Sequence, residues 1–187
     1  MDCPAGYKCG VATVSPVECG VGYYSTSYSV SCAICPRGYY CGSNATTDES
    51  LRNGGKIWSN RFESSGMCFN GTYCDYGMKS APDLTRNACP AGYYCPAGTV
   101  FPLGCPSGTY NPVQGKDSLS DCISSPPGYY SIANSTHVTG ECDAGYYCPS
   151  GSSSSKEIPC PPRYYRTELG AGSVSEVYCY QSNNDCL

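Results

Sequence analysis

A short motif, in which cysteine is followed after two intervening residues by glycine and then a tyrosine pair or a close variant, recurs along the chain. The motif glycines are mostly 16 to 21 residues apart, with one gap of 33 residues. A short period predicts one small unit stacked many times rather than a globule around one site. We call each unit a repeat and name it by its opening residue. The repeats open at Cys3, Cys19, Cys35, Cys68, Cys89, Cys105, Ser125, Cys142 and Cys160.

The composition also disfavours an ordinary globule. The 187 residues include 17 cysteines, 22 glycines and 19 tyrosines, and this cysteine content is typical of a disulfide scaffold. Disulfides persist in oxidising compartments, so we expect an extracellular or secreted protein. Three sequons agree with that location and predict N-glycans at Asn44, Asn70 and Asn134. Because the sequence starts inside a repeat without a signal peptide, we expect a processed chain or an excerpt of a longer one.

The cysteines appear and vanish two at a time within a repeat. In short-bridged repeats the second cysteine directly follows the tyrosines, whereas in long-bridged repeats it comes later. In one repeat Ser125 and Ser131 stand where Cys35 and Cys41 stand in another. This bookkeeping predicts eight bridges, each within its own repeat. The predicted pairs are Cys3–Cys9, Cys19–Cys32, Cys35–Cys41, Cys68–Cys74, Cys89–Cys95, Cys105–Cys122, Cys142–Cys148 and Cys160–Cys179.

Parity alone leaves alternatives open. An interlaced pattern, Cys3–Cys19 with Cys9–Cys32, satisfies the same count. Cys186 is left over, and we expect it to be unpaired or to pair outside this chain.

The gap of 33 residues between two motif glycines also has two interpretations. Residues 42–65 form either a degenerate repeat around Gly55 or a plain loop insertion. On either interpretation we divide the remaining chain into cysteine-rich repeats at 1–41, 66–124 and 142–187, with a disulfide-free turn at 125–141.

The motif predicts small disulfide-rich repeats. A turn this short cannot bury enough apolar area to offset its conformational entropy, so disulfides must supply the difference. Glycine permits the tight backbone beside each bridge, and one tyrosine of each pair can pack on the disulfide. An exposed binding stripe of tyrosines is the alternative. We expect an elongated rod of stacked turns of about 16–21 residues, mostly loop, with strands of two to four residues and little or no helix.

The stretch CPAGYYCPAGTVFPLGCPSGTYNPVQGKDSLSDC, from Cys89 to Cys122, resembles the ephrin-receptor-like and growth-factor-receptor-like cysteine-rich repeats. These are similar in style to tumour-necrosis-factor-receptor repeats. The resemblance implies a disulfide-laddered rod in which Cys105–Cys122 closes the first loop of a receptor-type module. Such repeats occur in receptor ectodomains and in extracellular proteins of protists and algae, including the mastigoneme glycoproteins of cilia. A cell-surface or ciliary-surface location is therefore implied.

No residue pattern indicates catalysis or a cofactor, so we expect no enzyme. His137 is the single histidine and lies in a polar segment without a marked partner. Cys32-x-x-Cys35 lacks the second half of a zinc site, and we assign its cysteines to two successive disulfides. A net charge of −4 without a run of like charge disfavours nucleic acid and anionic membranes. No apolar run approaches the roughly 20 residues that span a bilayer.

Repetition without a distinctive site favours a structural role. We expect a segment of an extracellular, glycosylated rod or filament that self-associates or contacts neighbouring extracellular proteins and carries N-glycans. The alternative is a receptor-type ectodomain that binds a protein ligand on one face.

Overall fold

The computed structural model describes residues 2–10, 15–42, 44, 65–161 and 169–173. The chain divides into two compact units. The first unit comprises Met1–Cys89, Cys95–Pro102 and Gly115–Asp117, and the second comprises Pro90–Tyr94, Leu103–Gln114 and Ser118–Leu187.

The described residues form short strands of two or three residues, joined by loops and turns. The strands are β1 (Tyr7–Lys8), β2 (Val17–Glu18), β3 (Tyr23–Tyr24), β4 (Ala33–Ile34), β5 (Tyr39–Cys41), β6 (Ser65–Met67), β7 (Tyr93–Tyr94), β8 (Leu103–Gly104), β9 (Thr109–Tyr110), β10 (Ile123–Ser124), β11 (Tyr129–Tyr130), β12 (Gly140–Glu141), β13 (Tyr146–Tyr147) and β14 (Ile158–Pro159). The helical element in this part of the chain is a 3-10 turn at Leu119–Asp121, capped by Ser118. This confirms the expected fold class of small disulfide-rich repeats with very short strands and almost no helix.

Seven of the repeats are antiparallel hairpins in the part of the chain that the structure describes, and in the Cys68 repeat an antiparallel bridge between Thr72 and Ala88 takes the same place. The strand that carries the tyrosines pairs with the residues just before the next opening residue, as where Tyr23 lies opposite Ile34 and Tyr24 opposite Ala33. In the first unit β1 pairs with β2, β3 with β4, and β5 with β6. In the second unit β7 pairs with β8, β9 with β10, β11 with β12, and β13 with β14. A hairpin therefore starts at the motif and closes where the following motif begins.

The pairing of β5 with β6 bears on the gap of 33 residues. Tyr39 lies opposite Met67, so the chain that leaves β5 returns directly before Cys68. The motif glycine Gly38 also bonds to the next repeat, since its N–H donates to the carbonyl of Cys74 at 3.0 Å. The Cys35 and Cys68 repeats are therefore neighbours, and the pairing favours a loop insertion over a degenerate repeat. Gly55 itself lies outside the described residues.

A tight turn explains the motif glycine. In the Cys35 repeat the N–H of Tyr39 donates to the carbonyl of Pro36 at 3.3 Å, and Gly38 has a φ of +82°. A turn with this hydrogen bond and a positive φ at its third residue is of type II, which favours glycine there. The motif thus combines a proline-led turn with the start of a strand.

Cysteines form the core. Cys35, Cys41, Cys68 and Cys74 are each 0% exposed. Tyr24 and Tyr39 pack against the Cys35–Cys41 pair, and Tyr40 shares a cluster with Cys68 and Cys74 of the next repeat. These contacts favour the structural interpretation of the tyrosines, because rings cover the disulfide of their own repeat or of the one that follows.

Candidate functional site

Seven disulfides lie within the described residues, and each joins two cysteines of the same repeat. Their Cα atoms are 5.7 to 6.2 Å apart. The bonded pairs are Cys3–Cys9, Cys19–Cys32, Cys35–Cys41, Cys68–Cys74, Cys89–Cys95, Cys105–Cys122 and Cys142–Cys148. They are the same as seven of the predicted pairs, and the interlaced alternative for the first four cysteines is wrong. Cys179 and Cys186 lie outside the described residues, so the Cys160–Cys179 pair and the fate of Cys186 stay predictions.

Apart from Cys3–Cys9, the disulfide of a short-bridged repeat lies where three repeats meet. We call the opening residue and the residue after the tyrosines, the closing residue, together the node of a repeat. At the node Cys35–Cys41, the N–H and carbonyl of Gly22 bond to the carbonyl of Cys41 and the N–H of Cys35, both at 2.8 Å. On the other side, the N–H of Gly77 donates to the Cys35 carbonyl and the N–H of Cys41 donates to the Met78 carbonyl, both at 2.9 Å. Four backbone hydrogen bonds thus hold one node between the preceding and following repeats.

The same four hydrogen bonds recur at five further nodes. They hold Cys68–Cys74 and Cys89–Cys95 in the first unit, and Cys105 with Asn111, Ser125 with Ser131, and Cys142–Cys148 in the second. Because the bonds involve backbone groups only, the pattern does not depend on the side chain at the closing position.

Of the six nodes with four hydrogen bonds, the two without a short disulfide are held by polar side chains. Asn111 is 1% exposed, and its amide Nδ2 donates to the Tyr93 carbonyl at 2.9 Å. Ser125 and Ser131 are each 0% exposed, and their hydroxyl oxygens are 2.8 Å apart. A buried hydrogen bond therefore stands where other repeats have a sulfur–sulfur bond.

A second glycine-rich position completes the node, and the sequence interpretation missed it. This trailing position lies three or four residues after the closing residue. Gly98 occupies it in the Cys89 repeat, and a Cβ added at Gly38 would lie 2.6 Å from the Gly98 carbonyl oxygen. The motif glycine is thus needed for its positive φ and for its missing side chain. A sequence signal existed, because Cys74-x-x-Gly77 and Cys95-x-x-Gly98 repeat the Cys-x-x-Gly spacing.

Two residues other than glycine have a positive φ in the part of the chain that the structure describes, Tyr28 at +63° and Asn134 at +62°. Both are at the trailing position. The side chain of Asn134 covers Gly104, where its Oδ1 fills the space that a Cβ would need. Asparagine tolerates this backbone better than most residues, so a sequon asparagine here also serves the fold.

All three sequon asparagines are on the surface. Asn44, Asn70 and Asn134 are each exposed. Their exposure is compatible with N-glycans, which stay a prediction.

An exposed cluster of charged and aromatic side chains occurs in the first unit. The guanidinium of Arg37 lies 4.7 Å from the ring centroids of both Tyr76 and Phe101. Its Nε donates to Asp75 Oδ1 at 2.9 Å. The pKa of Asp75 is lowered, first by the hydrogen bond from the Tyr76 N–H and then by that from Arg37. Tyr76 and Phe101 are 59% and 63% exposed, so the cluster is a candidate contact surface that sequence spacing did not predict.

The residues considered for other chemistry have structural surroundings. His137 is exposed, with its Nδ1 3.0 Å from the Thr136 hydroxyl. Cys32 and Cys35 belong to two successive disulfides. No group of three or more His, Cys, Asp or Glu side chains that could hold a metal ion is found among the described residues. In the same part of the chain, no helix has the length and apolar character to cross a membrane.

Comparison with known proteins finds a similarity to a cysteine repeat protein. Over 80 residues, which cover 40% of this chain, the sequence is 34% identical to cysteine repeat modular protein A of Toxoplasma gondii. The matched stretch covers 2% of the length of that protein. No family model matches the chain. Together with the seven disulfides, this similarity supports a cysteine-rich repeat protein.

Proposed function

We propose that this chain is a structural segment of an extracellular, glycosylated, cysteine-rich protein, in which the repeats form a rod that spaces and self-associates. The observation that carries the proposal is the node, whose four backbone hydrogen bonds recur at six places. Each node fixes a repeat against both of its neighbours, which is the property that a spacer requires. We propose neither a catalytic activity nor a cofactor.

The location follows from the same chemistry. Seven disulfides fit an extracellular or secreted protein, because such bonds persist under oxidising conditions. The exposed asparagines at Asn44, Asn70 and Asn134 suit glycan attachment. The name of the Toxoplasma gondii relative, which describes a modular cysteine repeat protein, supports a modular chain of cysteine-rich repeats. We place it at a cell or ciliary surface, with repeats of the ephrin-receptor-like or tumour-necrosis-factor-receptor-like style.

Solution scattering and electron microscopy test this role on protein secreted from a eukaryotic host. A compact globule of this length has a radius of gyration of about 16 Å. We expect a clearly larger value for the isolated chain and regular fibres in native material. A value near that of a globule would contradict the rod, and a soluble monomer without lateral contacts would contradict self-association.

The Arg37 cluster favours a second candidate function, a receptor-type ectodomain that binds a protein ligand. Exposed aromatic rings and arginine are enriched where proteins bind each other tightly, and both Tyr76 and Phe101 are mostly exposed. The test is capture of a protein ligand at nanomolar strength by the wild type, with loss of capture in Arg37→Ala. Unchanged capture by the variant would exclude this cluster as the binding site.

A further inference from the structure

The predicted glycosylation sites at Asn70 and Asn134 differ in the solvent exposure of the threonine that completes the acceptor motif. At Asn134 both the asparagine and the hydroxyl residue Thr136 are exposed. At Asn70 the asparagine is exposed, but Thr72 is 0% exposed. Because the acceptor motif comprises both residues, the folded chain presents only half of it at Asn70.

The hydroxyl of Thr72 is engaged within its own turn. It donates to the carbonyl of Phe69 at 2.6 Å, and the N–H of Thr72 points at the same carbonyl at 3.2 Å. Thr72 also forms an antiparallel bridge with Ala88, directly before the next opening cysteine. Exposing this hydroxyl to an enzyme therefore requires the turn to open.

The central residue of the sequon is fixed by the node of the following repeat. The N–H of Gly71 donates to the Cys95 carbonyl, and the Gly71 carbonyl accepts from the Cys89 N–H, both at 2.8 Å. The Cα of Gly71 also faces the Gly115 carbonyl so closely that no Cβ would fit. The sequon cannot change its backbone without separating two repeats.

We propose that Asn70 accepts its N-glycan only before the Cys68–Cys74 disulfide closes and the Cys89 repeat stacks on this turn. Once attached, the glycan is compatible with the fold, because Asn70 points outward. Occupancy at Asn70 is then set by a competition between glycan transfer and disulfide formation. The inference rests on the proposed export and glycosylation for its setting in the cell, but the accessibility itself can be tested without export.

Both competing reactions have simple chemistry. In glycan transfer a bond forms between Nδ2 of Asn70 and the anomeric carbon of a lipid-linked oligosaccharide. The bond from that carbon to the lipid pyrophosphate breaks, the pyrophosphate leaves with the electron pair, and the amide loses one proton. In disulfide formation the two thiols of Cys68 and Cys74 lose two protons and two electrons to an oxidised dithiol–disulfide oxidant.

The first experiment compares two forms of the unglycosylated chain, with its cysteines either oxidised and folded or reduced and carboxymethylated. Each form is incubated with purified oligosaccharyltransferase and lipid-linked oligosaccharide, and site occupancy is followed over time by mass spectrometry. We expect transfer to Asn70 to be at least about fivefold slower in the folded form, since closing the turn buries the motif hydroxyl. A smaller difference would overturn the proposal.

The second experiment tests whether the slow glycan transfer to Asn70 depends on the local disulfide. The double substitution Cys68→Ser, Cys74→Ser removes the bridge around Asn70, and Cys142→Ser, Cys148→Ser is the matched control in the second unit. In the oxidised state, only the first variant is expected to recover transfer to Asn70. Equal recovery in both variants would assign the effect to general unfolding and overturn the local mechanism. Absence of glycans on the protein from its natural source would instead contradict the proposed function and leave this accessibility result unchanged.

Discussion

The close approach of repeats at the motif glycine gives a sharp prediction for Gly38→Ala. An alanine at a positive φ costs about 1–2 kcal/mol for the backbone alone. At Gly38 the new Cβ would also lie 2.6 Å from the Gly98 carbonyl oxygen. Relieving that clash means separating backbone from backbone, with loss of the hydrogen bonds that Gly38 makes to Cys68 and Cys74. At about 1 kcal/mol for each hydrogen bond, the total reaches about 3–4 kcal/mol.

Gly145→Ala is the matched control. Gly145 has a φ of +83°, but in the part of the chain that the structure describes no atom lies within 4 Å of its added Cβ. The backbone cost is therefore the same and none of the described residues clashes with the new Cβ, so we expect a loss of about 1–2 kcal/mol. Both glycines accept a hydrogen bond from the next opening cysteine, Cys68 at 2.9 Å and Cys160 at 2.9 Å, which gives equivalent amides to follow.

Native-state hydrogen exchange is the suitable assay, because it reports the opening free energy at single amides without assuming one cooperative transition. The difference of about 2 kcal/mol predicts that exchange at the Cys68 amide is accelerated about 30-fold more by Gly38→Ala than exchange at Cys160 by Gly145→Ala. If the two substitutions accelerate exchange equally, the positive φ alone explains the glycine and the argument from close approach is refuted.

Three further predictions concern single nodes and the exposed cluster. The double substitution Ser125→Cys, Ser131→Cys should form a disulfide without added strain, because the two hydroxyl oxygens are already 2.8 Å apart; the short loop it closes is worth about 2 kcal/mol, and peptide mapping checks the link. Tyr40→Ala should cost about 3 kcal/mol in chemical denaturation, because Tyr40 is 6% exposed in a cluster with a disulfide. The pKa of Asp75 is lowered, so its ionised carboxylate stabilises the fold above the ordinary aspartate pKa, and this stabilisation is lost as the pH falls through the lowered pKa. In Arg37→Gln, carboxyl NMR should show that the pKa of Asp75 rises but stays below the ordinary value, because the hydrogen bond from the Tyr76 N–H remains.

A specific result would contradict each of these three predictions. Two free thiols in the oxidised double cysteine variant would show that the Ser125 node differs in geometry from the bridged ones. The control for Tyr40 is Tyr23→Ala, where the ring is 44% exposed and a loss well under 1 kcal/mol is expected; equal losses would contradict the packing role. For Asp75, a pKa unchanged by Arg37→Gln would leave the Tyr76 N–H as its only cause.

The cysteine spacing was sufficient to predict the connectivity within a repeat, because the two cysteines of a bridge are either both present or both replaced in a given repeat. Ser125 and Ser131 show this well, since they replace a bridge as a pair. The hydrogen bonds between repeats could not be predicted in the same way. They join backbone groups, such as those of Gly22 and Cys41, and backbone groups leave no signature in residue type.

The glycine at the trailing position was predictable from the sequence in only some of the repeats. Gly77 and Gly98 repeat the Cys-x-x-Gly spacing, yet Tyr28 and Asn134 occupy the equivalent place and obscure the pattern. The Arg37 cluster lay beyond sequence reasoning, because Arg37, Tyr76 and Phe101 belong to three different repeats. Their meeting depends on how far one repeat is rotated against the next, which spacing along the chain does not determine.

The pairing of β5 with β6 has a consequence for protein engineering. Tyr39 and Met67 lie opposite each other although a long connection separates them along the chain, and backbone hydrogen bonds such as that from the Gly38 N–H to the Cys74 carbonyl join the Cys35 and Cys68 repeats. The hairpin connections are therefore places where foreign peptides can be displayed. A peptide grafted between residues 44 and 65 would be presented on a scaffold in which two disulfides and the backbone hydrogen bonds of the nodes hold the Cys35 and Cys68 repeats.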